Sequence, residues 1–328
     1  MKHCAIFSVL FLTVLLILLS FTGCRRQKYN REEGKITVTS VIFPSYDFVR
    51  EIAGDRVNLI LLLSPGSESH SFEPSPLDII TIRESDLFIF PGSENAKWVD
   101  RILDSLGESY GQKMKILKLT DLVEAVEEEL VEGMEDDHDD HHHEDEEHDD
   151  DIPALDEHVW TSPLNAKVIV AAITEALCEL DSVNADFFRQ NAADYFTRLN
   201  ALDAEFRLLV ESAKRRIIVF GDRFPFRYLA NTYGLEYFAA FPGCSTETEP
   251  SASTVAFLIN KVKSENIPVI FHIELSNEKI ADVISESTGA KKLLLHSSHN
   301  LTKRDFDSGA NYIDLQKANI VNLREALW

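Results

Sequence analysis

This sequence predicts two α/β lobes, each a small parallel β-sheet flanked by helices, joined by one long rigid helix. Three observations lead there. Short β-rich runs alternate with helical stretches between residues 36 and 119. The same alternation restarts near residue 216. Between the two, residues 184–214 carry an apolar helical periodicity with no Pro or Gly to interrupt it. Repeated strand-then-helix order implies parallel sheets covered on both faces, and ligands of such folds gather at the carboxyl ends of the strands.

The elements follow in order. Residues 36–43, 57–63, 86–90 and 115–119 are rich in Val, Ile, Leu and Phe over strand-like lengths, and 46–53, 76–84 and 96–106 read as the helices between them. Phe187, Phe188, Tyr195, Leu199, Leu202, Phe206 and Leu209 recur at helical spacing and define the connecting helix. In the second lobe 217–220, 235–238, 268–273 and 292–295 read as strands, and 227–233, 253–264, 278–288 and 311–327 as helices. The expected division is a first lobe over 36–165, a helical region over 166–215 and a second lobe over 216–328.

The first residues stand apart from this fold. Lys2 and His3 precede an apolar run over 5–21 that ends in Thr22, Gly23 and Cys24 and gives way to Arg25, Arg26, Gln27 and Lys28. This is the layout of a secretory lipoprotein signal, residues 1–23, whose removal leaves Cys24 as the lipidated N-terminus at the head of a tether over 24–35. Phe21 stands where such sites usually carry Leu, and an uncleaved membrane anchor is the other reading. Either places the remainder outside the cytoplasm. Cys178 and Cys244 can pair in an oxidising compartment, but two cysteines so far apart make no disulfide framework, and Cys178 falls on an apolar helical pattern that suits a buried free thiol.

With 328 residues, 45% of them hydrophobic, the chain can build one large or two ordinary domains. Its formal net charge is −23, and nothing resembles a basic patch, which argues against nucleic acid as a partner. Twelve of the negative charges lie in residues 135–151, a run holding only carboxylates and imidazoles, with His138, His141, His142, His143 and His148 among them. Such a run buries nothing and reads as a solvated loop. Acidic runs are commonly solubilising alone, but five of the eleven histidines exceed what solvation needs and point to collection of transition-metal ions.

Two further histidines sit in specific contexts. A strand ends at Leu63, the chain turns through Pro65 and Gly66, and His70 follows ahead of Phe72, Glu73, Pro74 and Ser75. After the acidic run, Asp156, Glu157, His158, Val159 and Trp160 precede Pro163, Asn165 and Ala166. These stretches resemble the PG…H-x-[FY]-E-P-[ST] and [DE]-x-H-[VI]-W motifs of the zinc- and manganese-binding solute receptors of ABC importers, above all the zinc-uptake branch with its His- and acid-rich loop. Tyr233-Gly234-Leu235, Glu249-Pro250-Ser251, Thr288-Gly289 and the closing stretch from Tyr312 to Asn319 match as well, so the resemblance covers nearly the whole mature chain. It implies a metal site in the cleft between the lobes, with His70 and His158 as first-lobe ligands. It also implies zinc as cargo (manganese as the alternative), a membrane permease as partner, a lipid anchor on Cys24 and a monomeric receptor.

The second lobe departs from the family pattern. Where relatives place a His or Glu after the first strand of that lobe, this chain has Gly221, Asp222 and Arg223, and no acidic residue stands next to Tyr312 at the closing helix. His296 and His299 follow a strand at H-x-x-H spacing and are the expected replacements, with Asp222 in reserve and turn-capping as its competing role. His272, inside an apolar run, reads as a satisfied core histidine. An adhesin-type lipoprotein of the same family is an alternative function. A secreted zinc hydrolase is a further one, but the chain has no His-Glu-x-x-His, Gly-x-Ser-x-Gly or Cys-x-x-Cys, so an enzyme has no motif to rest on.

Overall fold

Strands β1 (Thr37–Ser40), β2 (Asn58–Leu61), β3 (Leu87–Phe90) and β4 (Lys115–Lys118) lie in the order β2-β1-β3-β4, every pair parallel. Strands β5 (Ile217–Phe224), β6 (Glu236–Pro242), β7 (Val269–His272) and β8 (Lys291–Leu294) repeat that arrangement as β6-β5-β7-β8, again all parallel. Each sheet therefore reverses its strand order between its first and third strands, which opens a crevice at the carboxyl ends there. The computed structural model describes residues 31–68, 72–92, 97–106, 113–134, 155–245 and 249–328. His70, Cys24, the apolar run over 5–21 and the acidic run with His138, His141, His142, His143 and His148 lie outside the described residues. Among the described residues no helix is long and apolar enough to cross a membrane.

Side chains of Ser75, Ser251, Thr302 and Asn311 cap the N-termini of four helices. α1 (Phe43–Ala53) starts earlier than its periodicity suggests, because Pro44 suits the first turn. α2 (Pro76–Arg83) opens with a capping box in which Ser75 and Asp78 serve each other's backbone N–H, again with Pro at the start. α3 spans Lys97–Leu106 and α4 Pro163–Leu180. α5 (Ala185–Glu211) is the long helix; Phe188, Tyr195, Leu199, Leu202, Phe206 and Leu209 form its buried face as the sequence marks, whereas Phe187, expected with them, is exposed because it lies one residue from Phe188 and so off that face. α6 (Arg227–Tyr233) stops at Gly234 in the left-handed conformation. α7 (Ala252–Ser264), α8 (Lys279–Thr288), the short α9 (Lys303–Asp307) and α10 (Tyr312–Leu327) complete the chain. The sequence gives no apolar periodicity for α9, which rests on a Thr302 cap to the Asp305 N–H.

One hydrophobic core runs through both sheets, from Val38 and Ile89 in the first to Ile218 and Phe220 in the second, by way of Trp160, Tyr195 and Tyr312. A smaller cluster of Val219, Phe238, Leu258 and Ile284 fills the far side of the second sheet. β5 is longer than predicted. It continues through Gly221, Asp222 and Arg223 to Phe224, with its register against β6 shifting between Phe220 and Arg223. A Cβ on Gly221 would lie 2.5 Å from the Ala281 backbone, so only glycine lets α8 pack this closely on the strand.

Candidate metal centre

His158 is placed by the chain that follows the acidic run. Asp156 folds back on it: Asp156 Oδ1 accepts the His158 backbone N–H at 2.8 Å and lies 2.9 Å from His158 Nδ1. The short 3-10 turn Val159–Thr161 then carries Trp160, fully buried, into the core. Its indole N–H donates to Ser297 O at 2.8 Å, and the Tyr312 hydroxyl donates to Trp160 O at 2.6 Å. With Nδ1 donating to Asp156, Nε2 carries the lone pair of His158, the usual way a carboxylate orients a metal-binding imidazole.

His299 arrives from the other sheet. After β8 the chain runs irregularly through 295–301, and Ser298 takes φ 64°, a left-handed conformation that a serine adopts at a cost of about 1 kcal/mol. Glu274, just beyond β7, fixes the turn: its carboxylate accepts Ser297 N–H at 2.7 Å, Ser297 Oγ–H at 2.6 Å and His299 N–H at 3.1 Å. Leu275 beside it is also left-handed, at φ 61°. The loop is tied to the first lobe as firmly. Phe43 N–H donates to His299 O at 3.2 Å, Asn300 Nδ2 donates to Ser64 O and Ser67 O at 2.9 Å each, and Gly66 N–H donates to Leu301 O at 2.7 Å.

These two segments bring Glu157, His158 and His299 together, all buried, with one ligand atom of each within 4.8 Å of the others. The two imidazole rings meet edge to face at 5.3 Å, and the Trp160 ring stands 5.0 Å from His299. His299 Nε2 lies 3.8 Å from Glu157 Oε1. Tetrahedral zinc with bonds of about 2.0–2.1 Å holds N and O donors roughly 3.3 Å apart, so a shift of about 0.5 Å brings this pair to ligating distance. Burial disfavours a charged His158, but the charges of Asp156, Glu157 and Glu128 and the hydrogen bond His158 donates to Asp156 outweigh it, so the imidazolium persists above the ordinary histidine range.

The remaining candidates lie differently. His296 Nδ1 accepts the Ser298 N–H at 3.0 Å and faces Glu274 Oε1 at 3.4 Å, while its backbone is held by Asn319. The left-handed Ser298 thus separates the two imidazoles of the H-x-x-H pair, and His299 alone joins His158. Asp222, expected just after a strand, sits within the irregular part of β5. Its carboxylate accepts Arg223 N–H at 2.9 Å and Ile273 N–H at 3.2 Å, joining β5 to the segment after β7. Burial raises its pKa, and hydrogen bonds from Ser276, Arg223 and Ile273 act against that rise. His272 Nδ1 lies 3.1 Å from Ile273 O, the satisfied role expected of it. Cys178 and Cys244 are both free thiols.

A cleft borders the His158–His299 pair, lined also by Ser67, Glu68, Arg223 and Glu274. Across it Arg223 reaches Glu68 at 3.4 Å, linking the second sheet to the loop that follows β2. Sequence reading misses Glu157 as a donor and Glu274 as the brace of the His299 loop. The first adjoins His158 in the motif, but the second carries no signal beyond its nearness to β7.

Two parallel sheets with matching strand order, one long helix, and imidazole and carboxylate donors buried where the two sheets' loops meet define a solute receptor of the metal-binding kind. The match to known proteins makes this specific. Residues 38–326 fit the family model described as zinc-uptake complex component A, periplasmic, and the chain belongs to that family. It is 33% identical over 293 residues to the high-affinity zinc uptake system protein ZnuA of Bacillus subtilis, covering 89% of this chain and 88% of that protein. It is 32% identical to the zinc-binding lipoprotein AdcA of Streptococcus pneumoniae, spanning 94% of this chain but only 58% of AdcA. Among solved structures, the Zn(II)-bound ZnuA-like domain of Streptococcus pneumoniae AdcA superposes with a TM-score of 0.70 at 30% identity, over 90% of this chain and 99% of that one.

Proposed function

We propose that this protein captures zinc outside the cytoplasm and delivers it to the membrane permease of an ABC importer. The observation that carries this reading is the convergence of Glu157, His158 and His299, buried, from segments that follow different sheets. Two imidazoles with a carboxylate favour zinc over magnesium or calcium, which prefer all-oxygen sets. His70 is the fourth donor in this reading: Ser67 and Glu68, which lead toward it, line the same cleft. The names of its relatives point to zinc, and manganese is the competing cargo.

Capture proceeds by replacement of protons and water. His158 gives up its proton as the ion binds, Asp156 keeps the ring aimed through Nδ1, and Glu157 supplies charge that offsets part of the ion's own. The set is closed by protein atoms, as suits storage in transit, and keeps no position open for an activated water. Residues 135–151 act as a weak, fast collector, residues 36–165 and 216–328 as the lobes, and Cys24 as the lipid-modified attachment of a monomer. Replacing His158 or His70 with Ala, with zinc affinity read by competition against a chelating dye, tests the reading. A large loss in each is expected, and unchanged affinity in both would sink the site.

A further inference from the structure

Beside the cleft a second group of donors converges that shares His158 with the capture site and adds Glu128 and Cys244, which that site leaves unused. Glu128, Asp156, His158 and Cys244 each bring a ligand atom within 4.8 Å of the others. Cys244 N–H donates to Glu128 Oε1 at 3.2 Å. Gly243 permits this closeness: a Cβ there would lie 3.3 Å from both Glu128 Oε1 and His158 Cε1 and 2.9 Å from Phe224 O. Thiolate, imidazole and two carboxylates form a donor set suited to zinc, and more strongly to a softer divalent ion of the same group.

The position of this group gives it a use. Glu127 and Leu155 pair in an antiparallel bridge, Asp156 N–H donates to Val126 O at 2.9 Å, and the Tyr228 hydroxyl accepts from Val126 N–H and donates to Asp156 O. The two chain segments that flank the acidic, histidine-rich run are thus stitched together, and Glu128 and Asp156 sit at that neck. His158 belongs to both donor groups, so the neck lies one ligand away from the cleft.

We infer that Glu128, Asp156 and Cys244, with His158, form a second cation site, through which an ion passes from the acidic run to the cleft by exchange around His158. This rests on the cleft being the zinc site proposed above. Binding at the neck forms metal–sulfur and metal–nitrogen bonds and releases to solvent both the Cys244 thiol proton and the proton that His158 Nδ1 otherwise donates to Asp156, with no change in oxidation state. Asp156 Oδ1 and His158 Nδ1, now 2.9 Å apart, open by a few tenths of an ångström to admit the ion, judged from the roughly 3.3 Å between donors in a tetrahedral site.

The test uses the full chain and cadmium ion as the probe, with thiolate-to-metal charge-transfer absorption in the ultraviolet as the readout. Parent and Cys178→Ser protein should both develop the band, Cys244→Ser should lack it, and Glu128→Gln should need at least about tenfold more cadmium to reach it. Cys244→Ser should also slow zinc loading of the cleft in stopped-flow mixing while leaving its equilibrium affinity within about twofold. His299→Ala weakens the cleft and keeps the band, so failure of the cleft assignment reads out separately. No band in the parent, a band that survives Cys244→Ser, or an unchanged loading rate in that variant each overturns the inference.

Discussion

His299 and His296 stand three residues apart on one loop, and their removal should have very different consequences. A tetrahedral zinc site in a small protein is worth roughly 10–16 kcal/mol, so one donor in four carries about 3 kcal/mol, or roughly two orders of magnitude in affinity. His299→Ala removes such a donor, within 3.8 Å of Glu157 and packed on the His158 ring. His296→Ala instead removes an acceptor for the Ser298 N–H. Leaving that one buried group unsatisfied costs about 1–3 kcal/mol of folding stability. It acts on zinc only through a small displacement of the loop, which Glu274 and Asn300 hold independently, so affinity should fall by less than about tenfold. Zinc affinity is measured by competition against a chromophoric chelator, with thermal unfolding of the metal-free variants as a check on folding. Trp160, 5.0 Å from His299, supplies an intrinsic fluorescence signal for the same titration. A larger loss of affinity for His296→Ala than for His299→Ala, with both proteins folded, would refute the assignment.

Three further outcomes are expected. Asp156→Asn keeps the shape beside His158 but removes the charge that orients it, and zinc affinity should drop by about 10- to 100-fold in the same competition assay. Deleting residues 135–151 should lower the number of weakly held ions in equilibrium dialysis while the tight site and thermal stability persist, and loss of the tight site would put the run inside the cleft. Asp47, buried against Arg50 and accepting the Tyr312 N–H at 2.7 Å, has its pKa raised by burial to about 6 from the usual carboxylate range. Between those values the folded chain binds the extra proton, so this group's contribution makes stability fall as pH rises from about 4 to 6, by at most about 3 kcal/mol. Denaturant titrations across that window should show Asp47→Asn with a flatter pH dependence than the parent.

Much of the architecture is legible because strand and helix periods differ and this chain keeps them separate. Phe188, Tyr195, Leu199, Leu202 and Phe206 mark the buried face of α5 without any tertiary information. The far half of β5 is illegible for the opposite reason: Gly221 and Asp222 are poor strand formers at a register shift, and the strand resumes only because Arg223 and Phe224 pair with Phe241 and Pro242 of β6. That extension is what takes Asp222 from the end of a strand into its interior. At the site, His158 is legible from its motif. Which of His296 and His299 lies beside His158 is not, because Ser298 between them is left-handed and serine gives no sign of positive φ. Cys244 and Glu128 come together only through the fold, with 115 residues between them and no shared pattern.

The loop carrying His299 is numbered with the second lobe and hydrogen-bonded to the first. Asn300 grips Ser64 and Ser67, Phe43 grips the His299 carbonyl, and Trp160 anchors to Ser297. Glu157, His158 and His299 are therefore tied across the two sheets rather than held by either one. The same segment is held to its own lobe by Glu274, whose carboxylate binds Ser297 and His299, and by Asn319, which binds His296, so it is a strap shared by both sheets.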